Sequence, residues 1–135
     1  MRRLRVWTLT VALTAAAALA ASGAIAAGAA TSIVGTWSGR LLPAPGSHGS
    51  RQQLTVVVNR GERTGTWRMG PRCAGTLRLK DISYGYHHYY RVQSSNPGCA
   101  PRGVDCLKRL GAQMVDVFVS NSGTANSSGE FRRIG

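Results

Sequence analysis

Residues 54–67 read LTVVVNRGERTGTW, and this stretch contains the strongest local signal for the fold. Leu54, Val56 and Val58 form one of two alternating sets, and in a β-strand such a set shares one face of the sheet. The tetrapeptide NRGE that follows is a turn signal, and a second alternating run begins after it. The stretch therefore predicts a β-hairpin.

The same period of two recurs on both sides of this hairpin, and turns rich in Gly, Pro, Asn and Ser separate the runs. In one later run, Val115, Val117 and Val119 alternate with Asp116 and Phe118, and one of the two sets is expected on a buried face. Downstream of Ala30 there is no helical stripe. The pattern predicts eight strands, at about 33–41, 52–59, 64–69, 74–81, 84–93, 103–110, 113–119 and 128–134.

Short connections between neighbouring strands favour antiparallel pairing in sequence order. An up-and-down meander of eight strands removes its edges by closing into a barrel, so the predicted fold is a small all-β barrel. The interior of such a barrel is either filled by side chains or holds one small ligand. Short strands and large inward candidates favour a filled interior, and an open cavity is the alternative.

The first thirty residues have the composition of an export signal. A basic start, MRRLR, precedes an uncharged Ala-rich stretch and then small residues in A-x-A cleavage registers. We expect a mature N-terminus within about 26–32, so that residues 1–30 are the signal peptide and 31–135 form a single secreted domain. Because the first Cys is Cys73, no lipid anchor follows the cut, and we expect no membrane anchor after cleavage.

The chain is strongly basic, with 17 Lys and Arg against five Asp and Glu. Three of the Arg residues lie in the predicted signal peptide, which leaves 14 basic residues in the mature domain. This excess favours polyanions such as acidic envelope or matrix polymers, although no specific nucleic-acid motif is present. The equal alternative is a GC-rich coding sequence that enriches Arg and Ala. The candidate polyanion-binding residues are Arg60, Arg63, Arg68 and Arg72.

Two sets of residues resemble known proteins. The sequences GTWSG at 35–39, LTVVV at 54–58 and GTW at 65–67 resemble the opening of a calycin-type barrel. Biotin-binding barrels have a similar first hairpin but also use tryptophans from later strands. This chain has no tryptophan after Trp67, so we do not expect it to bind biotin.

The second set is more specific: CAGTL at 73–77, CAPRGV at 99–104 and GEFRR at 129–133. These resemble a family of small secreted domains in high-GC Gram-positive bacteria. Its members stand alone behind a signal peptide or form the extracellular tail of transmembrane serine/threonine protein kinases. The resemblance covers nearly all of residues 33–134. It implies a β-barrel with a Cys pair and carries no established function.

The chain departs from that family at two places. The family pattern has an acidic residue in the fifth strand, where this chain has YGYHHYYR at 84–91. A third cysteine, Cys106, stands where the family has an apolar residue. A ligand role tied to the missing carboxylate therefore does not carry over.

Cys73, Cys99 and Cys106 allow three possible disulfides. Cys73 and Cys99 both lie at strand ends beside Gly-rich turns, and the family resemblance points to the same pair. We predict the Cys73–Cys99 disulfide, with Cys106 either buried as a small apolar residue or paired between molecules. The C-x₂₋₄-C spacing of zinc sites is absent, and we predict no metal site.

The predicted fifth strand is rich in aromatic residues. Alternation places Tyr84, Tyr86, His88 and Tyr90 on one face and His87 with Tyr89 on the other, so the adjacent histidines cannot easily bind one metal. One interpretation is cross-strand packing with hydroxyls at the rim. The other is an aromatic surface that stacks sugars or bases, beside the basic residues Arg78, Lys80 and Arg91.

Motifs for catalysis are almost absent. The five acidic residues lie mostly in turns or beside Arg, and the chain has no nucleophile elbow or phosphate-binding loop. We expect a non-catalytic extracellular module without a cofactor, whose basic surface binds envelope or matrix polyanions. The alternatives are a calycin-type carrier of a small apolar ligand at a barrel mouth near Trp37 and Trp67, and a structural or inhibitory secreted protein.

Overall fold

The computed structural model describes residues 30–47, 49–93, 99, 102–121, 123 and 125–135. The predicted signal peptide lies outside these residues, apart from Ala30. The described part of the chain contains eight strands: β1 (Gly35–Pro43), β2 (Gln52–Val58), β3 (Thr64–Met69), β4 (Cys73–Ser83), β5 (Tyr86–Gln93), β6 (Gly103–Leu110), β7 (Gln113–Ser120) and β8 (Ala125–Arg133).

The strands pair antiparallel in sequence order, and β8 pairs with β1 to close the barrel. The predicted fold class and strand order are confirmed. The largest boundary difference is at β8, which begins at Ala125 instead of at 128. Between β4 and β5, Tyr84 and Gly85 form a turn instead of starting a strand. Both have positive φ, 52° and 77°, as the central residues of a type I′ hairpin turn require.

In this meander, different turns and terminal segments lie at the two ends of the barrel. One end, here called the terminal end, carries residues 30–34, the β2–β3, β4–β5 and β6–β7 turns, and residues 134–135. The opposite end, here called the loop end, carries the other four connections. These positions decide which charged side chains can lie near one another.

The barrel interior is filled by side chains from all eight strands. Gly39, Gly75 and Gly103 face inward and leave room for large rings on neighbouring strands. A Cβ added to Gly75 would lie 2.7 Å from Nε1 of Trp67, and one added to Gly103 would lie 2.6 Å from the Phe118 ring. The buried hydrophobic side chains on the strands are Trp37, Leu41, Leu54, Val56, Val58, Trp67, Met69, Leu77, Tyr89, Leu107, Met114, Phe118 and Phe131.

On β7 the buried set is Met114, Asp116 and Phe118. Val115 and Val117 are half-buried on the outside of the barrel. Both sets of this strand contain large apolar residues, so alternation alone does not decide which set faces inward. The consequence is that β7 brings a carboxyl group into the barrel.

The segment of residues 30–34 crosses the terminal end and covers the core there. Ile33 is fully buried, and its carbonyl oxygen accepts a hydrogen bond of 2.8 Å from Nε1 of Trp37. Arg109 donates to the carbonyl oxygen of Ser32 at 3.2 Å. The guanidinium groups of Arg109 and Arg133 lie 5.9 and 6.0 Å from the centre of a Trp37 ring. This end is therefore closed by side chains and backbone together.

Candidate functional site

The barrel contains a buried ion pair between Arg91 on β5 and Asp105 on β6. Nε of Arg91 donates to Oδ2 of Asp105 at 2.8 Å, and Nη2 donates to Oδ1. The guanidinium carbon lies 5.0 Å from the centre of a Trp67 ring and 4.2 Å from that of Phe118. Burial opposes the charge of Arg91, but the charge and hydrogen bonds of Asp105 outweigh it and raise the pKa of Arg91. This pair is the most polar part of the core.

Asp116 lies in the same region of the interior and is fully buried. Neither of its carboxyl oxygens has a hydrogen-bond partner within the part of the chain that the structure describes. Burial, followed by the negative charge of Asp105, raises the pKa of Asp116 well above its ordinary value, although Arg91 counteracts this. The folded protein therefore favours the protonated, uncharged form of Asp116.

A second polar cluster, centred on Glu62, lies at the terminal end. Oε1 of Glu62 accepts hydrogen bonds from Oγ of Ser32 at 2.6 Å and from the backbone N–H of Ile33 at 2.8 Å. Its Oε2 lies 3.0 Å from Nε2 of the buried His87. Burial would raise the pKa of Glu62, but these hydrogen bonds outweigh burial and lower it. The cluster fastens residues 30–34 to the barrel.

The backbone of Glu62 also contributes to this cluster. Its φ of 59° lies in the left-handed region, where a residue other than Gly is uncommon. Its carbonyl oxygen accepts a hydrogen bond of 2.6 Å from the hydroxyl of Tyr89. Burial, followed by the charge of Glu62, raises the pKa of that hydroxyl. The carboxylate of Glu62 is thus used inside the molecule and does not face the neighbouring Arg60 and Arg63 on the surface.

The predicted cluster of four Arg residues is divided between the two ends. Arg60 and Arg63 lie in the β2–β3 turn at the terminal end, and Arg72 lies in the β3–β4 turn at the loop end. Arg68 is the fifth of the six residues of β3 and lies close to the loop end. Because a six-residue strand spans about 20 Å, these four side chains do not form one compact patch.

Two other basic residues join the terminal-end pair instead. The backbone N–H of Leu79 donates to the carbonyl oxygen of Arg63 at 2.9 Å, which places the β2–β3 turn beside Arg78 and Lys80 on β4. Arg78 is directly opposite Tyr90 on β5, and Nζ of Lys80 lies 6.0 Å from the centre of the Tyr90 ring. We call this surface, made of Arg60, Arg63, Arg78, Lys80 and Tyr90, the cationic face.

The aromatic strand divides between the two faces as alternation predicts. His87 and Tyr89 are buried, whereas Tyr86, His88 and Tyr90 face outward. Arg91 has the same parity as the buried pair and lies inside, so the expected aromatic surface keeps Arg78 and Lys80 but not Arg91.

Outward-facing His88 contacts Asp81 and Ser83 through a single ring nitrogen. Its Nδ1 lies 2.5 Å from Oδ1 of Asp81 and 3.4 Å from Oγ of Ser83. In a Ser–His–Asp triad the two partners occupy different ring nitrogens, so this arrangement differs from a triad. The hydrogen bond from His88 is the main reason why the pKa of Asp81 is lowered.

Trp37 and Trp67, the predicted ligand-mouth residues, are both buried in the interior. They lie in one row of the sheet, each directly opposite Val56 on β2. Nε1 of Trp67 donates to the carbonyl oxygen of Val92 at 3.1 Å. The two indoles are thus part of the packed core and hold their hydrogen-bond partners inside it.

The predicted disulfide is confirmed, because Cys73 and Cys99 are bonded and their Cα atoms are 5.3 Å apart. Cys106 is free and half-buried on the outer face of β6. Burial is the main cause that raises the pKa of its thiol to about 11, and the charges of Asp105 and Asp81 add to it. The thiol is therefore protonated at neutral pH.

An apolar groove of about 620 Å³ lies on the outside of the barrel, and Arg40 and Glu130 also line it. Its apolar side chains include Leu42, Val115 and Val117, from β1 and β7. Its lining also reaches Tyr86 on β5, the strand that carries Tyr90, so the groove and the cationic face are separate surfaces that both border β5.

The described residues contain no group of three or more His, Cys, Asp or Glu side chains arranged to hold a metal ion. In that same part of the chain, no helix is long and apolar enough to span a bilayer. The sequence and structure match no protein-family model, no curated protein and no solved structure.

Sequence reasoning missed the inner cluster of Arg91, Asp105 and Asp116. One signal was present: Arg91 follows His87 and Tyr89 at steps of two, and Asp105 precedes Leu107 by two. Charged residues are rarely buried unless they are paired, and no local pattern shows that Arg91 and Asp105 are partners. The pairing becomes visible only when β5 and β6 are placed side by side.

Proposed function

We propose that the protein is a secreted, non-catalytic binding module whose cationic face binds anionic polymers of the cell envelope or the surrounding matrix. The observation that carries this proposal is the separation of charge between the inside and the outside of the barrel. Of the 14 basic residues in 30–135, only Arg91 lies in the core. Of the five acidic residues, Asp105 and Asp116 are fully buried.

This separation makes the outside more basic than composition alone suggests. Arg91 and Asp105 neutralise each other, and a protonated Asp116 carries no charge. The outer surface and the ends keep 13 basic side chains against Glu62, Asp81 and Glu130. A field of one sign attracts polyanions and raises their rate of association.

Within this field, the cationic face offers both charge and an aromatic contact. Arg60, Arg63 and Arg78 are exposed, and within the described residues none of them forms an ion pair with a carboxylate. Lys80 forms an ion pair with Asp81, in which Nζ lies 3.8 Å from Oδ2. The ring of Tyr90 is 49 % exposed and can stack against a sugar ring while the cations contact its acidic groups.

The disulfide is consistent with an oxidising compartment, where such bonds form and persist. It supports secretion together with the basic and apolar N-terminal sequence. We place binding on the outer surface because Trp37 and Trp67, which a carrier of apolar ligands would use, are packed inside the core.

The test measures binding to a poly(glycerol phosphate) chain between 50 and 200 mM salt. The variant replaces Arg60, Arg63, Arg78 and Lys80 together by Gln. If these four cations contact phosphates, the slope of log affinity against log salt becomes shallower by up to about 3.

A charge-matched control replaces Arg51, Arg68, Arg102 and Arg132, four exposed residues on other parts of the surface, by Gln. The control loses the same net charge but keeps the cationic face, so its slope should change much less. Equal slopes for the two quadruple variants would contradict the assignment to this face. Wild-type binding that does not respond to salt would contradict polyanion binding itself.

A further inference from the structure

Three chemically distinct side chains form one row across the outside of the barrel. Asp81 on β4 is directly opposite His88 on β5, and His88 is directly opposite Cys106 on β6. All three side chains face outward. The carboxylate, the imidazole and the free thiol are therefore successive neighbours along the hydrogen-bonding direction of the sheet.

The contacts of Asp81 determine which nitrogen of His88 carries the proton. Oδ1 of Asp81 accepts a hydrogen bond from Oγ of Ser83 at 3.1 Å and lies 2.5 Å from Nδ1 of His88. A carboxylate only accepts hydrogen bonds, so Nδ1 is the protonated nitrogen. In the neutral ring, Nε2 then carries the free lone pair.

The geometry of the imidazole ring decides where that lone pair lies. Nδ1 faces Asp81 on β4, and Nε2 belongs to the opposite edge of the ring. Since β5 lies between β4 and β6, that edge lies on the β6 side, where Cys106 is the residue directly opposite. Directly opposite residues have Cβ atoms about 4.5–5.5 Å apart. A metal bonded to sulfur at about 2.3 Å and to nitrogen at about 2.0 Å requires donors no more than about 4.3 Å apart. Binding therefore requires a rotamer of Cys106 that directs Sγ toward His88.

We propose that Sγ of Cys106 and Nε2 of His88 form a two-donor site for a soft monovalent cation of the Cu⁺ class. As the metal–sulfur bond forms, the thiol releases its proton to solvent, and no oxidation or reduction takes place. Thiolate and imidazole donors suit Cu⁺, which accepts few ligands. Asp81 acts as the outer partner that holds the imidazole, as carboxylates do behind metal-bound histidines.

The surroundings leave this pair accessible. The side chain of His88 is 22 % exposed, and the ring of Tyr86 lies parallel to it at 6.3 Å. The two nearby ammonium groups are engaged elsewhere. Nζ of Lys80 pairs with Asp81, and Nζ of Lys108 donates to the carbonyl oxygen of Tyr84 at 3.4 Å, beside the Tyr86 ring.

The experiment titrates the protein lacking residues 1–30 with Cu⁺ under anaerobic conditions, with ascorbate present and a coloured Cu⁺ chelator as competitor. We expect one equivalent of Cu⁺, and protection of Cys106 from alkylation by iodoacetamide. Cys106→Ser should abolish binding. Asp81→Asn should weaken it by about 10- to 100-fold, and His88→Gln, which removes one of the two donors, should weaken it at least as much.

Tyr90→Phe, on the same outer face of β5, serves as the control and should bind as the wild type does. The disulfide-bonded fold of each variant is checked by its thermal transition. Equal affinity of the wild type and His88→Gln would overturn the proposal, because a thiol alone would then account for the binding. Failure of the wild type to compete with the chelator would also overturn it. Neither result depends on whether the cationic face binds polyanions.

Discussion

Arg91 and Asp105 form their ion pair diagonally across β5 and β6, although neither is the direct cross-strand partner of the other. Arg91 is opposite Gly103, and Asp105 is opposite Tyr89. Because Gly103 has no side chain, the ring of Phe118 occupies the space above it, and the guanidinium group of Arg91 packs against that ring. The buried pair therefore depends on a glycine in the neighbouring strand.

Asp105→Asn should destabilise the protein by about 3–5 kcal/mol, because Arg91 loses its hydrogen-bonded carboxylate and Asp116 must ionise to replace that charge. The double variant Arg91→Met with Asp105→Leu should lose much less, since neither charge then remains in the core. Urea unfolding monitored by tryptophan fluorescence measures both. A single variant as stable as the double variant would show that the charge of Arg91 is compensated by Asp116 or reaches solvent.

Asp116→Asn should change how stability depends on pH. The pKa of Asp116 is raised in the folded state, so the folded protein keeps a proton that the unfolded chain releases above about pH 4. Stability therefore falls by about 1.4 kcal/mol per pH unit as pH rises from about 4, the unfolded pKa, to the raised folded pKa. The amide side chain of the Asp116→Asn variant does not titrate, so it contributes no pH dependence to the free energy of unfolding.

The measurement compares unfolding free energies of the wild type and Asp116→Asn from pH 4.5 to 8. The difference should grow with pH in favour of the variant. Because Asp116 and Asp105 interact, the difference reports the titration of this pair, whereas groups that do not interact with Asp116 cancel. An advantage of the wild type that increases with pH would mean that Asp116 is ionised in the folded protein.

Glu62→Gln should have the opposite pH dependence. The pKa of Glu62 is lowered by its hydrogen bonds with Ser32, Ile33 and His87, so its contribution is present above the unfolded pKa. That contribution is lost as pH falls through the folded pKa. We expect the variant to lose about 1–2 kcal/mol at pH 7 and nearly nothing near pH 2.

Hydrogen exchange at the Ile33 amide provides a local measurement of the same change. This amide donates to Glu62, so its exchange should be faster in Glu62→Gln at pH 7. The amide of Leu54, on a core strand, should change only as much as global stability does. Unchanged protection at Ile33 would indicate that other contacts hold residues 30–34 in place.

Removal of the disulfide should cost about 3 kcal/mol, because Cys73 and Cys99 close a loop with a sequence separation of 26 residues. Cys106→Ser is the matched control and should cost less than about 1 kcal/mol, since this side chain is half-buried outside the barrel. Non-reducing peptide mapping should recover the Cys73–Cys99 crosslink and leave Cys106 open to alkylation after denaturation. A Cys99–Cys106 peptide in refolded material would contradict the assignment.

The mature N-terminus should lie within about 26–32 when the full chain is expressed in an exporting host. The structure gives this range a physical limit, because Ser32 and Ile33 both donate to Glu62 and a later cut would remove those contacts. N-terminal sequencing of the secreted protein checks this. Secreted material that starts at Met1 would refute cleavage.

The strand order could be predicted from the sequence because period-two runs and short turns are local signals. The same signals placed His87 and Tyr89 on one face of β5 and Tyr86, His88 and Tyr90 on the other, but did not decide which face is buried. They did not determine which face of β7 is buried, because Val115, Val117 and Val119 are as apolar as Met114 and Phe118. That choice depends on the neighbouring strands, whose shared interior accepts larger side chains.

The candidate site was less predictable because closeness in sequence differs from closeness in the barrel. Arg60 and Arg72 are twelve residues apart but lie at opposite ends of β3. Arg78 and Lys80 lie further along the chain from Arg63, yet they return to it because β4 runs antiparallel to β3. Only the register between strands reveals such neighbours.

The seam between β1 and β8 has a consequence for how the chain folds. Every other pair of adjacent strands is also consecutive in the chain, whereas the seam joins Trp37 to Arg133. Local hairpins have a low entropic cost of closure, and the seam has the highest. We therefore expect the meander to assemble progressively and the seam to close last. Substitutions at Gly39, which faces Phe131 across it, should mainly accelerate unfolding and leave the folding rate nearly unchanged.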